Sequence, residues 1–160
     1  MEYSVDYIQV LIDSLRKKSV VLDRISELNE EQKQLAAVGK VDLEEFQKTL
    51  EGKQDCIDEL NKLDEGFELV YERVKPELVD NAANHKEAIQ LLKQLVSEIT
   101  EKSMRVQTEE ERNRQTIAAQ YASYKKEIRQ YKMSRNVTSS YYKNMNKLQN
   151  VEPVFMDKKK

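Results

Sequence analysis

The 160-residue chain is poor in the residues that interrupt helices: it contains three Gly, two Pro and no Trp. So few Gly and Pro residues argue against a turn-rich fold, and 35% charged residues favour long, solvent-exposed helices. No run of about eighteen apolar residues is present, so the sequence predicts no membrane insertion. The N-terminus shows no basic region followed by an apolar stretch, and we expect no cleaved secretory signal.

The chain has one Cys and one His, which limits the chemistry it can perform. Cys56 has no partner for an intramolecular disulfide, which favours a reducing compartment, and we expect a cytoplasmic protein. His85 alone cannot supply the ligands of a His-rich zinc site or of a di-iron bundle. The isolated glycines form no phosphate-binding loop. The sequence therefore predicts no enzyme, no metal site and no cofactor.

Charge is distributed unevenly along the chain. Residues 1–80 carry 11 Lys+Arg against 20 Asp+Glu, a net charge of -9, whereas residues 81–160 carry 16 against 9, a net charge of +7. The basic C-terminal region can attract an acidic partner or simply aid solubility. Its interleaved tyrosines and lysines are compatible with a nucleic-acid surface, but the acidic N-terminal half repels phosphate, and we expect no nucleic-acid binding.

Apolar residues recur at steps of three and four residues in three segments, the spacing that places side chains on one helical face. The pattern predicts helices over about residues 4–38, 42–80 and 84–132. The fold class is therefore all-α: an elongated, antiparallel bundle of three long, coiled-coil-like helices within residues 1–133.

The turns between these helices carry capping signals. Gly39 is expected to end the first helix, and Asp42 with Glu45 is expected to cap the second. Asn84 and Glu87 have the spacing of a capping box and are expected to begin the third helix.

Residues 134–160 are expected to form a flexible, basic tail. A Ser/Thr/Asn-rich stretch opens it, after which Tyr141, Met145 and Leu148 fall on one helical face. A helix this short is marginal on its own, so we expect it to order only against a partner or against the bundle itself.

Two lysines occupy core positions of the predicted bundle. Counting residues outward from the two turns brings Lys18 level with about residues 62 and 104, near the polar residues Asp64 and Ser103. The same counting brings Lys53 level with about Glu27 and Asn113. Such polar layers fix helix register, because a charge buried without a partner costs more than another packing arrangement. The alternative is that both lysines extend to solvent.

The apolar pattern of the third helix is interrupted by a polar stretch over residues 108–116. We interpret the acidic run at residues 109–111 as a solvated face rather than a carboxylate site, since Arg112 and Arg114 lie within helical pairing distance.

The first helix, the turn from Gly39 to Leu43 and the segment from Phe46 to Leu60 resemble the FlgN family of flagellar export chaperones. The shared pattern is a polar-faced first helix, a short Asp-Leu turn, a Lys before an Ile/Leu pair, and a long last helix followed by a tail. The resemblance covers about residues 4–145.

This resemblance implies a cytosolic protein of flagellum biogenesis and type III protein export. Such a protein binds the C-terminal amphipathic helices of hook-filament junction proteins, keeps them unpolymerised and presents them to the export gate. Two alternatives remain open. The client can be another flagellar subunit, from the filament or its cap, or the chain can be a structural coiled coil that associates with copies of itself.

A client helix needs an apolar stripe that the bundle leaves uncovered. We expect that stripe on the C-terminal part of the third helix, where the shorter first helix runs out. Its residues are Ile117, Tyr121, Tyr124, Ile128 and Tyr131.

The resemblance also implies a docking residue for the export gate. In the family, a Tyr-containing turn that ends in Gly follows the last helix. Tyr142 lies in the closest matching segment of this chain, although Asn146 stands where the Gly is expected. Asn tolerates the same left-handed backbone geometry.

Overall fold

A computed structural model describes the backbone of residues 2–37 and 42–121, and the side chains of residues 6–37 and 42–120. The described helices are α1 (Glu2–Ala37), α2 (Leu43–Asp80) and α3 (Lys86–Tyr121), with a 3-10 turn, Ala82–His85, between α2 and α3. No strand occurs in these ranges. The predicted all-α fold of three long helices is confirmed. The expected tail, the last part of the third helix and the Gly39 turn lie outside the described residues.

α1 is the central helix of the bundle. It packs along both α2 and α3, whereas the backbones of α2 and α3 make few close approaches to each other. α2 is antiparallel to α1, because Arg73 near the end of α2 donates to the Tyr7 hydroxyl near the start of α1, at 3.3 Å. α3 is parallel to α1, because Ser19 donates to Glu98 at 3.1 Å and Asn113 donates further along to the Asn29 carbonyl at 2.7 Å.

The apolar core is divided into two clusters. The larger cluster is formed by all three helices and includes Leu15, Leu22, Leu60 and Leu92, which are fully buried. A smaller cluster lies near the end of α1 and the start of α2. We call it the hairpin-end cluster; it consists of Ala36, Phe46, Leu50 and Ile117, with Leu35 and Leu43 partly buried against it. Each fully buried aliphatic or aromatic side chain contributes about 1.5–3 kcal/mol.

The Asp42 cap at the start of α2 is confirmed, whereas the Glu45 side chain bonds Lys48 instead of acting as the expected reciprocal partner. The Asp42 carboxylate accepts bonds from the backbone N–H groups of Glu44 and Glu45, at 3.1 and 3.3 Å. The Glu45 carboxylate accepts a bond from Lys48 Nζ at 3.1 Å.

The junction between α2 and α3 differs from the expected capping box. Asn84 lies inside the 3-10 turn, where its N–H donates to the Asn81 carbonyl at 3.0 Å, and α3 begins at Lys86. A 3-10 turn is a common connector because its tighter winding satisfies backbone donors within a few residues.

Candidate functional site

Lys18 on α1 forms an ion pair with Asp64 on α2, and its side chain is 1% exposed. The Lys18 ammonium also lies 5.3 Å from the centre of the Phe67 ring, within the range of a cation–π contact. The predicted pairing of Lys18 with Asp64 is confirmed, and the alternative that this lysine extends to solvent is wrong. Because two helices contribute one charge each, a shifted register would leave both charges unpaired.

Lys53 on α2 is also fully buried, and it forms an ion pair with Glu110 on α3. Its ammonium donates to the Gln32 side-chain oxygen on α1 at 3.3 Å, and Gln32 donates to the Thr49 hydroxyl at 3.1 Å. Burial lowers the pKa of Lys53, and the neighbouring Glu110 carboxylate opposes that shift. The alternative that Lys53 extends to solvent is wrong.

Lys53 pairs with neither of its expected partners, Glu27 and Asn113. Glu27 is exposed and pairs with Arg24 at 3.1 Å. Asn113 is buried, but its side chain donates to the Asn29 carbonyl on α1 at 2.7 Å. Glu110, the actual partner on α3, lies three residues before Asn113. Counting therefore placed Lys53 opposite the correct part of α3 to within one helical turn.

The acidic run does not form a uniformly solvated face. Glu109 accepts bonds from Ser26 at 2.8 Å and from Asn29 at 3.3 Å, and Glu110 is buried. Glu111 pairs with Arg114 at 3.1 Å, as expected, and this bond lowers the pKa of Glu111. The interpretation as a solvated face is therefore wrong for Glu110.

These buried polar side chains form a layer across all three helices, which we call the polar layer. Its members are Asn29, Gln32, Thr49, Lys53, Glu110 and Asn113. Each is at most 3% exposed. The layer separates the larger apolar cluster from the hairpin-end cluster, and its buried charges and amides depend on hydrogen bonds made inside the core.

Ile117 is the described part of the predicted client stripe, and it lies in the hairpin-end cluster at 2% exposure, so the expectation that the bundle leaves it uncovered is wrong for this residue. Three residues later, the Gln120 amide donates to the Ala36 carbonyl in the last turn of α1. Tyr121 is the last described residue of α3, and its side chain lies outside the described set. Tyr124, Ile128, Tyr131 and Tyr142 also lie outside the described residues.

Along the larger cluster, α1 and α3 are joined by a surface network. Lys102 lies 2.9 Å from Asp23 and 3.3 Å from Glu98. Burial lowers the pKa of Lys102, but its bonds to these two carboxylates outweigh that effect and raise the pKa overall. The network joins α3 to α1 on the N-terminal side of the α3 residues that belong to the polar layer.

At the opposite end of the bundle, His85 Nε2 lies 3.1 Å from the Glu77 carboxylate. Asn81 also donates to Glu77, at 3.0 Å, and the bonds from His85 and Asn81 lower the pKa of Glu77. His85 thus has a structural partner at the junction of α2 and α3. Cys56 is buried, and burial raises the pKa of its thiol.

Within residues 2–37 and 42–121, no group of three or more His, Cys, Asp or Glu side chains is arranged to hold a metal ion. Over the same ranges, no helix combines the length and apolar character needed to span a bilayer.

Comparison with protein families found a match over most of the chain. The family model described as FlgN protein matches residues 1–149, which include the described bundle and most of the residues that follow it. No curated protein and no solved structure matched the chain.

Proposed function

Because the chain belongs to the FlgN family of flagellar export chaperones, we propose that it binds the C-terminal amphipathic helices of hook-filament junction proteins. It acts in the cytoplasm as a non-enzymatic binding protein, keeps these clients unpolymerised and delivers them to the export gate. The family match across residues 1–149 is the observation that carries the proposal, since it covers the region expected to bind the client as well as the bundle.

The geometry of the bundle supports a client surface on α3. At Gln120, α3 has reached the last turn of α1, which ends at Ala37. In sequence, the apolar pattern continues through Tyr121, Tyr124 and Ile128. An amphipathic stripe of this kind binds the apolar face of another helix. The proposed client-binding residues are Ile117, Tyr121, Tyr124, Ile128 and Tyr131.

The double substitution Tyr121→Asp/Ile128→Asp tests this surface, because it places charge on the stripe and leaves the buried Ile117 unchanged. We expect helicity to be retained by circular dichroism and client affinity to fall by about 100-fold or more, since a charge buried against an apolar helix is desolvated. The probe is a peptide with the sequence of a junction protein's C-terminal amphipathic helix, titrated by calorimetry.

A matched control is Val20→Asp/Leu69→Asp, which places the same charges at positions that are 68% and 71% exposed. The control should bind the peptide as the unaltered chain does. Equal binding by the stripe variant and the control would show that the client binds elsewhere. Preference for a filament or cap subunit peptide would instead identify a different client.

For delivery, we propose that Tyr142 makes the contact with the export gate. Tyr142→Ala should leave peptide affinity unchanged and reduce secretion of junction proteins and motility in cells. Lys143→Ala is the control for a general effect of changing this segment. Normal secretion by Tyr142→Ala would remove Tyr142 from the docking role without affecting the proposed client.

A further inference from the structure

The hairpin-end cluster is built unequally by the three helices. α1 and α2 supply Leu35, Ala36, Leu43, Phe46 and Leu50, whereas α3 supplies Ile117. Among the side chains described through residue 120, Ile117 is therefore the one large apolar group that α3 places on this surface of the α1–α2 hairpin. Beside it, Gln120 of α3 bonds the Ala36 carbonyl, which shows that a helix fits along this surface.

The part of α3 that covers this surface is held mainly by polar contacts. Between Val106 and Ile117, the buried residues of α3 are Glu110 and Asn113, and both belong to the polar layer. If this part of α3 separates from the hairpin, the Lys53 and Glu110 charges regain hydration, which offsets much of the lost attraction between them. Apolar side chains gain no such compensation when they are exposed. The polar layer therefore favours separation of α3 at this level.

We infer that the α1–α2 hairpin end is a helix-binding groove that Ile117 occupies in the free protein and that the client's amphipathic helix occupies in its place. The inference rests on the proposed function, since it identifies where on the bundle the same client helix lies. A client helix with apolar residues at steps of three and four takes the place of Ile117 against the buried Phe46 and Leu50, and it also covers the partly exposed Leu35 and Leu43. Displacement also releases Ile117 to contact the client.

Replacing the charges of the polar layer with apolar side chains tests the inference. In the double variant Lys53→Met/Glu110→Leu, no buried charge regains hydration when α3 separates. Separation is then less favourable, and α3 stays packed against the hairpin. We expect it to weaken binding of the junction-protein peptide by about tenfold or more, because the open state becomes rarer.

The other buried ion pair provides a matched control. Lys18→Met/Asp64→Leu makes the same chemical change within the larger cluster, away from the hairpin end. It should change peptide affinity by less than about twofold, because it does not affect the groove. Equal affinities for the two double variants would overturn the inference.

A covalent link gives a second test that does not depend on repacking. In a Cys56→Ala background, Ala37→Cys and Gln120→Cys are joined by a short bismaleimide, which holds α3 on the hairpin. The control joins Asp23→Cys to Lys102→Cys, where α1 and α3 already meet at 2.9 Å. The first link should weaken peptide binding by about tenfold or more and the second by less than about twofold. Unweakened binding with the first link would overturn the inference.

Hydrogen exchange of the free protein separates this inference from the proposed client. Amides of residues 107–120 should exchange faster than those of residues 92–106, since the former are held by the polar layer. Equal protection would overturn the inference whatever the client is. A different result is rapid exchange of residues 107–120 in a chain that binds no junction-protein peptide. In that case α3 does separate from the hairpin, but the proposed client and its placement in the groove are both wrong.

Discussion

The ammonium group of Lys53 on α2 is paired with the carboxylate of Glu110 on α3, and the two side chains are 0% and 3% exposed. The pair joins the two helices whose backbones make few close approaches. It differs in kind from surface pairs such as Arg24–Glu27, whose side chains are 52% and 66% exposed. Surface pairs of that type contribute roughly 0–1 kcal/mol, whereas loss of one buried partner leaves a desolvated charge.

The single substitution Glu110→Leu should therefore lower the free energy of unfolding by about 3–5 kcal/mol, because Lys53 stays buried without its counter-charge. Adding Lys53→Met should recover most of that loss. Urea denaturation of the two single variants and the double variant measures both effects. Glu27→Leu, which removes one partner of an exposed pair, should change stability by less than about 1 kcal/mol. A similarly small effect of Glu110→Leu would contradict the buried pairing.

The position of Glu110 shows how far sequence reasoning reaches. From Val106, steps of four, three and four residues lead to Glu110, Asn113 and Ile117, so the core-facing pattern of α3 continues without a break. The pattern was hidden because two of its members are polar. Periodicity was enough to predict the three helices. The Asp42 cap followed from the residue types at the turn, and the proximity of Lys18 and Asp64 followed from counting residues outward from the turns.

The partners of Lys53 could not be obtained in the same way. Its ion pair is with Glu110 rather than Glu27, and that choice depends on the rotation of each helix about its own axis and on their offset. Counting residues from a turn gives a level to within about one helical turn and no rotation. The polar layer that divides the core into two clusters is formed by Lys53 and these partners. The sequence therefore did not predict that division either.

The two described glycines of α2 lie in different surroundings, which predicts opposite outcomes for the same substitution. A methyl group at Gly66 would meet no atom within 4 Å, whereas one at Gly52 would lie 3.2 and 3.3 Å from the two terminal carbons of Leu28. Gly66→Ala should raise stability by about 1 kcal/mol through helix propensity. At Gly52 the buried Leu28 side chain has to shift, and repacking of this kind costs roughly 1–3 kcal/mol.

Thermal unfolding of the two alanine variants measures the difference. Gly66→Ala should unfold at a higher temperature than the unaltered chain, and Gly52→Ala at an equal or lower one. A gain at Gly52 as large as that at Gly66 would show that α1 does not constrain this position.

The Asp42 cap should be worth about 1 kcal/mol, because its carboxylate satisfies two backbone donors at the start of α2. Asp42→Ala should lower the free energy of unfolding by that amount. Asp42→Asn keeps an oxygen in the same position and should cost much less. Equal losses for the two variants would mean that the charge of Asp42, rather than its capping bonds, stabilises the helix.

The bonds that Glu77 makes at the junction of α2 and α3 predict how stability depends on pH. His85, together with Asn81, holds the pKa of Glu77 below its ordinary value of 4.5. A carboxyl group whose pKa is lower in the folded state than in the unfolded state stabilises the fold when it is ionised. That stabilisation is fully present above the unfolded-state pKa and is lost as the pH falls through the folded-state pKa.

Glu77→Gln removes this ionisation and keeps a side chain of similar size. We expect the unaltered chain to be more stable than Glu77→Gln near pH 7, and the difference to shrink as the pH falls from 7 toward 3, because a growing fraction of Glu77 is then protonated in the folded state. Chemical denaturation at both pH values gives the two differences directly. Repeating the comparison in a His85→Ala background should reduce the pH dependence, because His85 is the largest cause of the lowered pKa. A difference between the two chains that stays constant from pH 7 to pH 3 would show that ionised Glu77 does not stabilise this junction.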